Sequence, residues 1–378
     1  MFCILPLISS FLPFHDERKS IILKFIKKVL KFLLTVFLCL LLAALLVLWY
    51  FFGDYIMTIG SIRKVKDANL YTISYHGDYH FDEFLEIGAS TNNELISFLW
   101  EALPSDLPIE LSPADFACTA YTAVTKDGHP LVGRNLDIAK TAGMLVRTNP
   151  KDGYRSISMA ALGFIGQKPD DPVDTLKEKL LTFSSVYMPL DGINEKGLSV
   201  SVLVARNCAP TSQQTDKVDI TTTTAIRLLL DKAATVNQAI DLLGQYDMHS
   251  ANNTAYHFLI ADALGNSAVV EYINNEMVVF EDERVCANFL LETKDNISGL
   301  GYDRYWIVRE SLDETGAVIS PDRAMELLEA ARWQEPNRED TSTQWRCVYD
   351  LRSKSVDIGM HEDWDNVLSF KGSRFPFF

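Results

Sequence analysis

Apolar positions change rhythm along the chain, and each rhythm predicts a different element. Residues 32–52, FLLTVFLCLLLAALLVLWYFF, are 21 uncharged positions with no polar stripe. A helix rising about 1.5 Å per residue over that run spans the ~30 Å hydrocarbon core of a bilayer. The pattern predicts one transmembrane helix over 32–52, after a segment 1–31 and before a linker over 53–69. Residues 70–117 then begin with LYTISYHGDYHFDEFLEIG, alternating first and amphipathic after. TNNELISFLWEAL follows as a helix, with Thr91 as cap, Glu94 three residues on, and Leu95, Phe98, Leu99 and Leu103 on one face. PSDLPIELSP, residues 104–113, reads as an exposed Pro-rich connector of the kind at which chains are cut.

From residue 118 the rhythm shortens to strands and turns: CTAYTAVT, PLVGRNLD, SISMAAL, GLSVSVLVA, YHFLIADAL, SAVVEYI and MVVFED. Helical stretches interrupt them at 222–243 and 321–333. Strands linked mostly as hairpins, with two or three helices between, predict an α+β layered domain over 118–378. No internal repeat or low-complexity run is present.

Charge changes the picture at the N-terminal end. Arg18, Lys19, Lys24, Lys27, Lys28 and Lys31 crowd the near side of the apolar run, so the positive-inside rule places 1–31 in the cytoplasm and everything after Asp54 outside. A cleaved secretory signal is the competing reading. The long leading segment, the length of the apolar run and the lack of a small-x-small site before Gly53 and Asp54 favour a signal anchor. The opening MFCILPLISSFLPF, broken by Pro6 and Pro13, is too short to span and is read as lying on the inner leaflet. With Asp16 and Glu17 counted, the first 52 residues carry +4, so the rest carries −19 of a chain whose net charge is −15. So acidic an outer domain is a poor match for nucleic acid or anionic lipid.

Metal and familiar hydrolase chemistry find no support. Cys3, Cys39, Cys118, Cys208, Cys286 and Cys347 show neither CxxC nor Cys/His ligand spacing, and they do not form a disulfide framework. GxSxG, HExxH and the P-loop are missing; HEDWD lacks its second histidine and GNSAV its closing glycine. The histidines are dispersed, which gives a Cys-His dyad little support.

The chemistry-bearing stretch is FACTAYTAVTKDGHPLVGRNLD, residues 116–137. It reads as two strands joined by a Lys-Asp-Gly turn, with Cys118 in the first and Arg134, Asn135 and Asp137 in the second. If the bond between Ala117 and Cys118 were cut, Cys118 would gain a free α-amine with a pKa of about 7.7–8.0, a base beside its own sulfur. Arg134 and Asp137, folded back by the hairpin, could orient amine and thiol. The same pair could equally be a buried structural ion pair, and the segment alone leaves both open.

CTAYTAVTKDGHPLVGRNLD resembles the mature N-terminus of the choloylglycine hydrolase family of N-terminal nucleophile hydrolases. That family includes bile-salt hydrolases and penicillin V acylases and is close to acid ceramidase and N-acylethanolamine acid amidase. Cys118, Arg134 and Asp137 match its nucleophile, arginine and aspartate in order and spacing. DGINEKGLSVSVL (191–203) is similar to its Asn-Glu-Lys-Gly-Leu stretch, VCANFLLE supplies Asn288 at the oxyanion-binding asparagine, and GLGYDRYWIV offers Arg304 as the second arginine. RCVYDLRSKSVDIGMHEDWDNVLSF resembles the closing strands, and LYTISYHGDYHFDEFLE the pre-nucleophile segment of the ceramidase-type branch.

The resemblance implies a four-layer αββα sandwich, self-cleavage before Cys118, and hydrolysis of a linear carbon-nitrogen amide without metal or cofactor. Cys118 would attack, its own amine would shuttle the proton, and Asn288 with a backbone N–H would hold the oxyanion. Arg134, Asp137 and Arg304 would position these groups. Two departures stand out: Ala117 where the ceramidase-type pattern often has glycine, and Val204 where bile-salt hydrolases carry an asparagine.

The expectation is therefore a membrane-anchored amidase acting outside the cytoplasm on small N-acyl amides, the acyl group read as fatty or otherwise apolar. The alternatives are a penicillin V acylase or bile-salt hydrolase, an acyltransferase, and a tethered binding protein of the same fold. Nucleic acid is not an expected partner. Of the remaining features, Asn194 and Glu195 are read as a turn, His129 as solvent-facing, and Trp306, Trp333 and Cys286 as core.

Overall fold

The computed structural model describes residues 13–103, 117–206, 208–292, 301–333, 341–361 and 363–371. The opening apolar stretch up to residue 12 and the connector 104–113 lie outside the described residues. The chain divides into two units, Met1–Ile56 and Met57–Phe378.

A helix covers Pro13–Ser61, longer than the predicted 32–52 at both ends. Between Lys19 and Ser61 it is long and apolar enough to cross a membrane, and its apolar side chains from Ile21 to Phe52 are exposed. Its last turn, within the second unit, is not slack chain. The Ser61 hydroxyl donates to Ser74 O and accepts from Ser74 N–H, and the Thr58 hydroxyl accepts from His76 N–H.

The second unit contains two large sheets. One has nine strands, in spatial order Arg63–Lys64, Leu70–Ser74, Gly143–Thr148, Ser156–Ala161, Asp191–Asn194, Ser199–Val204, Tyr256–Ala261, Ser267–Ile273 and Glu276–Glu281. All its pairings are antiparallel except that of Leu70–Ser74 with Gly143–Thr148. The other has six antiparallel strands: Val285–Cys286, Ala117–Val124, Pro130–Ala139, Thr341–Asp350, Ser355–Met360 and Asp363–Lys371.

Alternation along each strand fixes which face meets what. On Pro130–Ala139, Arg134 reaches Asp191 in the nine-stranded sheet, while its neighbour Asn135 points the other way and donates to Leu328 O and Ala331 O at the end of helix Pro321–Ala330. Asn194 does the same for the nine-stranded sheet, donating to Leu230 O and Ala233 O at the end of helix Thr222–Lys232. Two matched asparagine ties thus bind an outer helix to each sheet. The result is the predicted αββα sandwich.

Close approach explains one glycine. A Cβ at Gly133 would sit 2.4 Å from the Tyr121 ring, whose hydroxyl reaches Ala324 O in the outer helix layer. The predicted helix at 222–243 is two, Thr222–Lys232 and Val236–Leu243, because Thr235 caps the second. Helix Asn92–Ala102 starts at the predicted capping box of Thr91 and Glu94. Helix Tyr302–Thr315 was not anticipated: its apolar and polar positions are too mixed to show a stripe, and its start is set by Gly301 at φ +87.

Candidate active site

Cys118 is wholly buried on strand Ala117–Val124 and sits opposite Leu136. The hairpin partner brings Arg134 opposite Ala120 and Asp137 opposite Ala117. Because Arg134 and Asp137 are three apart on a strand, they fall on opposite faces. Arg134 shares the inner face with the Cys118 side chain, and Asp137 lies on the outer face with Thr119. Thiol and backbone nitrogen are therefore served separately.

On the inner face, Arg134 Nε lies 2.8 Å from Asp191 Oδ2, and its Nη2 donates to Val202 O at 3.1 Å. The Tyr349 hydroxyl donates to the other Asp191 oxygen. Both charged groups are fully buried. On the outer face, Arg304, from the first turn of helix Tyr302–Thr315, donates from Nη1 to Asp137 and to Thr119 Oγ1. Thr343 donates to Asp137 Oδ1 at 2.6 Å, beside a bulge in its strand. Burial works to raise the Asp137 carboxyl above its ordinary value, and the Arg304 guanidinium and Thr343 hydroxyl oppose it.

Asn288 joins the two faces. Its Oδ1 accepts the Cys118 backbone N–H at 2.8 Å and Arg304 Nη2 at 2.8 Å, and its Nδ2 donates to Val204 O at 2.9 Å. All five residues singled out from the sequence are thus brought together. Val204, where bile-salt hydrolases carry asparagine, offers only its carbonyl. Burial pushes the Cys118 thiol up to about 11, against the pull of Arg134 and, more weakly, Arg304.

Residues 118–289 match the linear amide C-N hydrolases, choloylglycine hydrolase family. The match to choloylglycine hydrolases begins at Cys118 and ends one residue past Asn288, and it bears out the resemblance read from the motifs. Among solved structures, a point mutant of the conjugated bile acid hydrolase of Clostridium perfringens superposes at a TM-score of 0.51 and 17% identity. That alignment covers 68% of this chain and 92% of the other. A second variant of that hydrolase gives 0.50 and 17%, over 67% and 92%. Penicillin V acylase from Agrobacterium tumefaciens gives 0.49 and 17%, over 68% and 87%. At such identities the likeness is one of fold. No curated protein matches the chain in sequence.

Sequence reasoning missed the partners that hold these five residues in place. Asp191 opens the DGINEKGL stretch, yet only the turn beyond it had been singled out. In that turn Asn194 Oδ1 accepts from Lys196 N–H and Leu198 N–H, as expected of a turn residue. One reading needs correction: Trp306 is not core but 41% exposed. His129 keeps its side chain 34% exposed while pairing with Asp350 at 2.9 Å. Trp333 is half-buried with its ring 6.0 Å from the Arg304 guanidinium.

A second cysteine lies near an imidazole without forming a dyad. Cys286 Sγ is 3.5 Å from His257 Nε2 and 3.7 Å from Nδ1, so it sits almost equidistant from both nitrogens rather than along either lone pair. Both nitrogens are engaged elsewhere, Nδ1 with Glu271 at 2.9 Å and Nε2 with Ala287 O at 2.6 Å. Burial, reinforced by Glu271, raises the Cys286 thiol well above its ordinary value. Cys286 fills the core, as its sequence context suggested.

Proposed function

We propose that this protein is a cysteine N-terminal nucleophile amidase, activated by cleavage between Ala117 and Cys118 and acting on linear amides of small N-acyl substrates. The observation that carries the reading is the contact between Asn288 Oδ1 and the Cys118 nitrogen, with Arg304 bridging to Asp137. The nitrogen that must become the base already lies inside a buried polar cluster, one residue's width from the thiol.

In the first step the Cys118 sulfur adds to the Ala117 carbonyl carbon, and the acyl group moves from nitrogen to sulfur. Water then hydrolyses the thioester, leaving a carboxylate on Ala117 and a free α-amine on Cys118. In turnover that amine takes the thiol proton as the sulfur attacks the substrate carbonyl and gives it to the departing amine. A second water releases the acyl group as the acid and returns the proton. Arg134 lies on the thiol's side and favours the thiolate, while Asp137 and Arg304 hold the amine. Once Cys118 N is a terminus, Asn288 would turn its Nδ2, which donates to Val204 O in the uncut chain, toward the developing oxyanion.

The apolar helix Lys19–Ser61, with its flanking lysines, supports a single-pass anchor with the amidase unit outside the cytoplasm. An anchored enzyme works beside lipid, which favours a fatty or otherwise apolar acyl group. A panel of N-acyl amides tests this: long-chain amides should give the highest kcat/KM. Best rates on phenoxyacetyl or bile-acid amides would move the assignment to the penicillin V acylase or bile-salt hydrolase alternative. The uninterrupted strand through Ala117 and Cys118 favours one second reading, a tethered binding protein that never frees the terminus.

A further inference from the structure

His257 and Glu271 stand on adjacent strands, both wholly buried, and neither belongs to the cluster around Cys118. Their hydrogen bonds go to one short segment. His257 Nε2 meets Ala287 O at 2.6 Å, and Glu271 Oε1 lies 2.9 Å from His257 Nδ1 and accepts Leu291 N–H at 2.8 Å. Ala287 and Leu291 bracket Asn288. Both imidazole nitrogens face acceptors, a carbonyl and a carboxylate, so each contact must contain a proton. The pair holds two protons, as imidazolium with carboxylate or as neutral imidazole with carboxylic acid. Losing either proton would set two lone pairs against each other in a dry interior, at the cost of an unmade buried hydrogen bond.

We propose that the His257–Glu271 pair is a positioning device for Asn288, clamping the backbone on both sides of it so that its side-chain amide stays aimed at Cys118. Arg206 N–H, donating to Asn288 O at 3.0 Å, fixes the middle of the same segment. The clamp explains why a buried polar pair sits where an apolar pair would pack at lower desolvation cost. Its catalytic meaning rests on the amidase reading above, but its geometric content does not.

The test uses the full chain with His257→Leu, which removes both hydrogen-bonding nitrogens, and His257→Gln, whose amide can still donate to Ala287 O. In the uncleaved Cys118→Ala background, hydrogen exchange at the residue 118 and Leu291 amides should quicken by about tenfold or more in His257→Leu while remote strands stay protected. His257→Gln should recover part of that protection. In the cleaving chain, kcat should fall about 100-fold in His257→Leu with KM little changed, as expected when a reacting group is misplaced rather than removed. Should His257→Leu not fold, Glu271→Gln, which keeps the shape but cannot take the proton, carries the same readouts. Unchanged protection at residue 118 overturns the proposal whatever the activity. Lost protection in a protein whose wild type hydrolyses no amide upholds the clamp and contradicts the amidase reading.

Discussion

Asn288 accepts the backbone N–H of Cys118 through its side-chain oxygen at 2.8 Å, and the same oxygen accepts from Arg304. The side chain that would serve an oxyanion is thus occupied, in the uncut chain, by the nitrogen that cleavage would free. Arg304 is the hub of this arrangement. Its guanidinium reaches Asn288, Asp137 and Thr119 at once, a geometry that a lysine's point charge cannot reproduce. Arg304→Lys should slow self-cleavage about 100-fold while the chain stays folded. Arg304→Leu, which strands Asp137 in the interior, should cost about 3–5 kcal/mol of stability, read from denaturant unfolding.

The inner ion pair gives a separate prediction. Asp191→Asn keeps the shape but leaves the fully buried Arg134 without its counter-charge. Unfolding free energy should fall by about 3–5 kcal/mol. Tyr349→Phe removes one hydrogen bond to the same carboxylate and should cost about 1.5–3 kcal/mol. Equal stability of Asp191→Asn and wild type would show that Arg134 is held by other means.

Thiol reactivity should depend on processing. A thiol pushed up to about 11 is deprotonated to about one part in ten thousand at pH 7, and Cys118 is also buried. In the uncut chain, iodoacetamide labelling of Cys118 should be slow at pH 7 and rise about tenfold per pH unit toward pH 10, because the thiolate fraction grows with pH up to the pKa. The cut form should label faster at pH 7. An unreactive thiol in an uncut chain therefore does not by itself favour a binding protein; a chain that is never cut would.

Cleavage should not release the N-terminal piece that carries helix Pro13–Ser61. Strand Leu70–Ser74 is internal to the nine-stranded sheet, Tyr79 donates to the buried Asp231 at 2.7 Å, and the Tyr187 hydroxyl donates to Tyr79 O at 2.6 Å. Phe81, Phe84 and Phe98 pack with Tyr187 around them. The two pieces should co-elute on size exclusion in detergent and separate only in denaturant. Separation under native conditions would show that this packing is too weak to hold them.

The sequence made the architecture legible where periodicity was strong. The capping box at Thr91 and the Cys118 hairpin fall where the periodicity and turn residues placed them, and the closing strands where the family resemblance did. Helix Tyr302–Thr315 was hidden because its residues divide between a sheet, the site and solvent, which blurs the stripe. In the site, motif spacing brought out five residues but not their partners. Asp191, Thr343 and the His257–Glu271 pair come from strands distant in sequence, and only tertiary register reveals them. A polar residue at an inward position of an apolar strand, as with His257 in YHFLIA, was the one available signal.

Whether Cys118 becomes an N-terminus by its own chemistry is read from intact mass and N-terminal sequencing of the purified chain, wild type beside Cys118→Ala. Wild type should yield a fragment beginning at Cys118 while the alanine variant stays whole. A wild type that remains whole under every condition in which it is folded would contradict it and leave the site a buried polar cluster in a binding protein.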